Sequence, residues 1–309
     1  MPKPSQTISV PTLLRMTRPG FLSITVVAVL LGTAIAAACG HGPRPWTALA
    51  TLLLACLAHA AGNVLNDYQD ALSGADDANT TGIHPFTGGS RLIQNRVVTP
   101  RQTRELYVLL AFLLGAFGLL LAVKSTGWVI VLGLAGMLLT WAYSAPPLAL
   151  MTRGLGELVV ALVWSLVIIG ADVVQRGSIF IIPVVTSVSY ALLVANILLI
   201  NGLPDAASDA RVGKRTLAVL LGPRGAAALH LLIGNLAHAW LAAGVWLLYQ
   251  PDPAAWGLLS WPLSLAASAL LWRNATRPHK LRPAIVLTIA TALLHGLAMG
   301  AGFWSMRLG

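Results

Sequence analysis

The sequence predicts an all-α protein that crosses a membrane nine times, and three observations lead there. The chain has 309 residues, of which 57% are hydrophobic and only 10% charged, where an ordinary soluble domain carries about a quarter charged residues. Its apolar residues gather into runs of about 20, the length that takes a helix across the hydrocarbon core. Its 20 Lys and Arg are distributed unevenly between those runs. A soluble core of this length would not hide so much apolar surface, and the same composition excludes a disordered chain.

The runs fall at 21–39, 46–64, 105–123, 127–144, 156–172, 178–200, 226–248, 255–272 and 284–305. With the N-terminal segment 1–18 in the cytoplasm, only Arg44, Lys124, Arg176 and Arg307 lie outside; the other 16 basic residues, Lys3 included, lie inside. That is the positive-inside pattern. It accounts for the net charge of +10 without nucleic acid and places the protein in the cell membrane, its long loops facing the cytoplasm.

The first run is entered through Arg18-Pro19. It ends in Ala36-Ala37-Ala38-Cys39, similar to a lipoprotein cleavage site but after too long an apolar run, so the span is read as retained. Cys39 and Cys56 alone provide neither a disulfide framework nor zinc spacing. The second run leads into the long polar loop 65–104. The third and fourth carry Gly115/Gly118 and Gly133/Gly136, which permit close helix approach. The fifth starts with Glu157, four residues after Arg153 and in reach of it on a helix. The sixth leads into the second long loop, 201–225. His59, His230, His238 and His295 lie inside runs with no carboxylate nearby in sequence, and read as packing residues. Trp46, Trp128, Trp256 and Trp304 sit near run ends as an aromatic belt. No linker divides the chain, so 1–309 reads as one transmembrane domain, with nothing that sets its oligomeric state.

Six of the ten carboxylates fall in the two long loops, on the same side of the membrane. In Asn63-Val-Leu-Asn66-Asp67-Tyr68-Gln69-Asp70, positions 63, 66, 67 and 70 share one face of a helix. In Asn201-Gly-Leu-Pro204-Asp205-Ala-Ala-Ser208-Asp209, Asn201, Asp205 and Asp209 do so too if the stretch is helical. One such stripe reads equally well as a solvated helix end. Two on one side, each followed by basic residues (Arg91 and Arg96; Arg211, Lys214 and Arg215), argue for a site. Oxygen ligands of this kind suit Mg²⁺, which is held by one or two carboxylates plus phosphate, and Arg and Lys neutralise what phosphate charge is left. Apolar helices opposite such a site suit a lipid with a diphosphate head.

Asn66-Asp67-Tyr68-Gln69-Asp70-Ala-Leu-Ser-Gly74-Ala-Asp76 resembles the first aspartate-rich motif of the UbiA family of intramembrane prenyltransferases, in the form of its menaquinone branch. Asn201xxxAsp205xxxAsp209 with Gly213-Lys214-Arg215-Thr216-Leu217 resembles the second. Tyr143-Ser144-Ala-Pro146-Pro147, then Arg153-Gly154-Leu-Gly156-Glu157, is similar to the stretch after the fourth span, and Arg18-Pro19 to the family's N-terminal pair. The resemblance covers essentially the whole chain and implies nine helices around a central cavity.

It also implies transfer of a polyprenyl group from its diphosphate to an aromatic acceptor, 1,4-dihydroxy-2-naphthoate in the branch it matches, with 4-hydroxybenzoate or homogentisate as alternatives. Asp67, Asp70, Asp205 and Asp209, with Asp76, would hold Mg²⁺. Arg18, Arg91, Lys214 and Arg215 would neutralise diphosphate, and Asn63, Asn66 and Asn201 would orient it. Tyr143 would face the allylic cation, or else anchor the span at the interface.

Three departures stand out. Gly74 occupies the place of a carboxylate, so Asp76 or Asp77 must substitute. Pro204 stands where a basic residue is common. Pro85-Phe86-Thr87-Gly88-Gly89-Ser90-Arg91 reads either as a backbone nest for an anion or as a turn. A secondary transporter, the rival from another class, would place its ionisable groups near the bilayer midplane, whereas here the acids sit at one face and the span middles lack charge.

Overall fold

The computed structural model describes residues 8–307; Lys3 and the rest of 1–7, expected in the cytoplasmic N-terminal segment, lie outside them. Among the described residues there is no strand, and a helix stands at each expected run. These are α1 (Leu22–Ala38), α2 (Pro45–Ser73), α3 (Pro100–Lys124), α4 (Trp128–Ser144), α5 (Gly156–Arg176), α6 (Ile181–Arg211), α7 (Leu217–Trp246), α8 (Trp261–Asn274) and α9 (Arg282–Ser305). Eight spans are long and apolar enough to cross a membrane, counting α8 with the 3-10 turn Asp252–Ser260 before it; α4, at 17 residues, is the shorter ninth. The protein is a multi-pass membrane protein.

Local chemistry sets the ends. Pro45 opens α2 where its missing N–H is no loss, and Gly74, at φ 76, closes it in the left-handed region. Thr99 and Gln102 form a capping box at the start of α3.

The expected loops 65–104 and 201–225 are in large part helix. α2 continues to Ser73 and α6 to Arg211, so both acidic motifs are the final turns of membrane helices. Their polar residues repeat at three- and four-residue spacing, so the helix continues while its polar face turns inward. A short helix, Ala75–Ala78, follows α2, and 79–99 and 212–216 remain as loop. α6 passes through Pro204 although that residue has no N–H to give; the Thr81 hydroxyl donates to its carbonyl at 2.6 Å. α7 bends at Gly222, φ 65, just before Pro223.

The core forms where α6 packs on α5, α7 and α9, and where α1 packs on α5 and α9. Lipid tails are as apolar as leucine, so such contacts depend on close approach and on hydrogen bonds. Both occur. A Cβ on Gly296 would strike Val27 and the Tyr190 ring, and Tyr190, fully buried, donates to the Ile24 carbonyl at 2.7 Å. A polar seam joins α6–α9. His295 bonds Ser189 and Ser260, Ser260 bonds His238, and His230 bonds Ser268 and Thr288, all within 2.8–3.1 Å. These three histidines are packing residues, as expected. Arg153 donates to the Pro147 carbonyl at 2.6 Å instead of pairing with Glu157.

Overpacking costs about 1–3 kcal/mol. Gly296→Val is therefore expected to lower the thermal midpoint in detergent by several degrees. Gly127→Ala, whose Cβ meets nothing, leaves it in place.

Candidate active site

A buckle of loop joins the polar ends of α2 and α6. Asp205, on α6, accepts Asn79 Nδ2 on one carboxylate oxygen (2.7 Å) and the Gly88 N–H on the other (2.9 Å). Asp67, on α2, accepts the Ser90 N–H at 3.2 Å. Gly88 and Gly89 take φ 78 and 69. A Cβ on Gly89 would press on the Asp76 carboxylate and touch Asp67, so the turn needs glycine there. The glycine-rich stretch 85–91 thus gives at least two of its amides to the protein's own carboxylates.

Lys214 ties the same two helices from the other side. Its Nζ lies 2.7 Å from Asp70 and 3.3 Å from Asp209. Burial works against its charge, but the two carboxylates outweigh burial and hold its pKa above the usual lysine range. Lys214 places positive charge at the second motif, where Pro204 has none. Asp76 is 5% exposed while Asp77 faces outward, so Asp76 takes the inward position that Gly74 leaves open. Burial first, then Asp70 and Asp67, push the Asp76 carboxyl up to about 8.

Below this cluster lies a cavity of about 690 Å³. Asp70, Asp76, Asp205, Asp209, Lys214 and Arg18 stand at its polar end, with Asn63, Asn66, Asn201 and Tyr143 also on its wall; helices α3, α4 and α5 supply apolar lining. Asp67 is buried behind the loop and does not line it. Arg18 stacks on Phe21 and donates to the Phe86 carbonyl at 3.4 Å. Asn63 gives its amide to the Thr17 carbonyl at 3.0 Å, and Asn66 to the Met151 sulfur at 3.3 Å.

Two expected diphosphate contacts lie elsewhere. Arg91 bonds the carbonyls of Asp76 and Asn79, and Arg215 is exposed, its backbone N–H on the Thr152 carbonyl. Arg91 is at φ 60, and its guanidinium locks the loop. Sequence reading missed Asn79 and Thr81. The polar run Asn79-Thr80-Thr81 was the available signal, but only the fold brings it to Asp205.

Among the described residues, no three His, Cys, Asp or Glu side chains converge on one ion position as they stand. The chemistry nevertheless fits a hard divalent cation. The donors are all oxygen, and the buried acids outnumber Lys214. Asn201 Oδ1, one helical turn before Asp205 on the cavity wall, is sealed from solvent with no hydrogen-bond partner.

Residues 25–291 match the UbiA prenyltransferase family. The chain is 31% identical over 284 residues to the 1,4-dihydroxy-2-naphthoate octaprenyltransferase of Mycobacterium tuberculosis, covering 91% of this chain and 93% of that one. Its fold matches a UbiA homolog from Aeropyrum pernix with a TM-score of 0.70 at 19% identity, over 89% of this chain and 96% of the other. It also matches a UbiA homolog from Archaeoglobus fulgidus solved with DMAPP and Mg²⁺, with a TM-score of 0.62 at 16% identity, over 94% and 99%.

Removing one partner of a buried ion pair costs about 3–5 kcal/mol. Lys214→Met is expected to lower the thermal midpoint by several degrees without divalent cation. Millimolar Mg²⁺ then raises the midpoint of the variant by more than it raises that of the wild type.

Proposed function

The chain belongs to the UbiA prenyltransferase family and is a prenyltransferase; from that premise we propose that it moves a polyprenyl group from its diphosphate to 1,4-dihydroxy-2-naphthoate. The observation that carries this reading is the meeting of the two aspartate motifs at the polar end of a single apolar cavity. The acceptor rests on the relatives' names and on the first motif's menaquinone-type form.

The diphosphate binds at the polar end, where Asp70, Asp76, Asp205 and Asp209, with Asp67 behind them, would hold Mg²⁺. When bound, the ion supplies Lewis-acid stabilisation of charge on the leaving diphosphate. Lys214 and Arg18 add positive charge there. The prenyl chain lies along the apolar walls of α3–α5, which keep water from the allylic carbon as its C–O bond breaks. Tyr143 offers its ring face to the developing cation. The acceptor ring attacks that carbon, the bonding pair of the C–O bond leaves with diphosphate, and the attacking ring carbon then gives up its carboxylate as CO₂, whose bonding pair restores the aromatic ring. The basic inside loops support a site facing the cytoplasm, in the cell membrane.

The test uses purified protein in lipid, Mg²⁺, radiolabelled polyprenyl diphosphate and separate aromatic acceptors. Prenylated 1,4-dihydroxy-2-naphthoate is expected, lost with EDTA and reduced on the order of 10²-fold or more by Asp70→Ala. Turnover of 4-hydroxybenzoate or homogentisate alone would replace the acceptor and keep the chemistry; normal turnover by Asp70→Ala would overturn the assignment.

A further inference from the structure

Four histidines lie within membrane helices, and one differs from the rest. His230, His238 and His295 each spend both ring nitrogens on protein partners. His59 spends one. Its Nδ1 meets the Thr25 hydroxyl at 2.8 Å, and its Nε2 has no hydrogen-bond partner among the described residues. That nitrogen is not among the sealed unpartnered atoms, and His59 lines the cavity. The ring is held in place, with Trp164 edge-on at 5.0 Å between centroids. An open imidazole nitrogen among apolar walls costs free energy unless something bonds it.

Its place in the cavity narrows what that something is. His59, Asn63, Asn66 and Asp70 follow at four, three and four residues, on one face of α2, and all four line the cavity. His59 stands eight residues before Asp67, about 12 Å deeper along the helix. The diphosphate belongs to the aspartates at the polar end. The prenyl chain is hydrocarbon and has no group for an imidazole. What remains is the second substrate, whose reacting carbon must meet the carbon next to the diphosphate. A ring placed there reaches toward His59 with its far substituent.

We propose that His59 positions the aromatic acceptor, its free Nε2 hydrogen-bonding an oxygen substituent of the ring, with Thr25 fixing the imidazole through Nδ1. This rests on the proposed transfer to an aromatic ring in this cavity. Thr25 and the T-shaped contact with Trp164 fix the imidazole, so the residue selects acceptors with an oxygen at the correct distance from the attacking carbon.

The experiment varies acceptor at saturating prenyl diphosphate, and then the reverse. It uses whichever ring of the panel the wild type prenylates. His59→Ala is expected to raise the acceptor KM about tenfold, the worth of one such hydrogen bond. The KM for prenyl diphosphate stays within about twofold of wild type on the same argument. His59→Gln, which keeps a polar end, recovers part of the loss. Thr25→Val, which acts through the imidazole, shifts the acceptor KM in the same direction by less. Should His59→Ala fail to accumulate, the Gln and Val variants read the same split. An unchanged acceptor KM would overturn the proposal, as would a rise in both KM values together. Turnover of a different ring would remove the naphthoate reading, while the same comparison on that ring still decides the role of His59.

Discussion

Asp205 receives hydrogen bonds from Asn79 and Gly88, and Asp67 receives one from Ser90. Much of the site depends on this pairing of carboxylate with loop. The two motifs are more than 130 residues apart in sequence and lie on different helices, and mutual repulsion would drive their acids apart. Loop amides on one side and Lys214 on the other oppose that repulsion. Against the five carboxylates Asp67, Asp70, Asp76, Asp205 and Asp209 stand the two cations Lys214 and Arg18. The fold therefore holds a cluster of acid that is short of cations. Such a cluster is costly to maintain, and a divalent cation bound there would relieve that cost.

The sequence carried the membrane spans and both motifs because each is a local pattern. Twenty apolar residues, or four polar ones on a helical face, are visible without a fold. The polar stripes proved to be the last turns of α2 and α6, although most of their residues had been placed in loops. Composition favours a loop wherever acids gather; spacing favours a helix, and here spacing prevails. What local pattern could not carry was long-range pairing. Arg91 follows the first motif and looked like a phosphate ligand, yet its guanidinium is spent on two backbone carbonyls. Asn79, which no local pattern ties to Asp205, holds it. The inward choice of Asp76 over Asp77 follows from the helix phase after Gly74, which a single glycine resets.

The histidines illustrate the same limit. All four looked alike in sequence, each an isolated imidazole in an apolar run. Only the partners separate them. His230, His238 and His295 are closed by hydroxyls and carbonyls from neighbouring helices, as expected of polar side chains that join helices in lipid. The same bonds leave them no capacity for a ligand. His59 faces the cavity with one nitrogen uncommitted, so its environment differs although its sequence context does not.

That contrast extends to the two sides of the molecule. α1 and α6 are 61% buried over their apolar windows, and α3 only 11%. The side built on α6 is cross-linked by the polar seam and by close contacts at Gly32 and Gly296, where a methyl group would collide. On the other side, Gly115, Gly118, Gly133 and Gly136 have open space where a Cβ would be, and all four line the cavity. Glycine there does not serve helix contact. It leaves volume along the walls of α3 and α4, whose outer faces meet lipid. The proposed chemistry at the polar end needs atoms held within fractions of an ångström, whereas a long hydrocarbon chain needs only room and an apolar surface. The loop amides and Lys214 hold the acids, and the open space along the lipid-facing helices leaves room for a chain, so one cavity meets both needs.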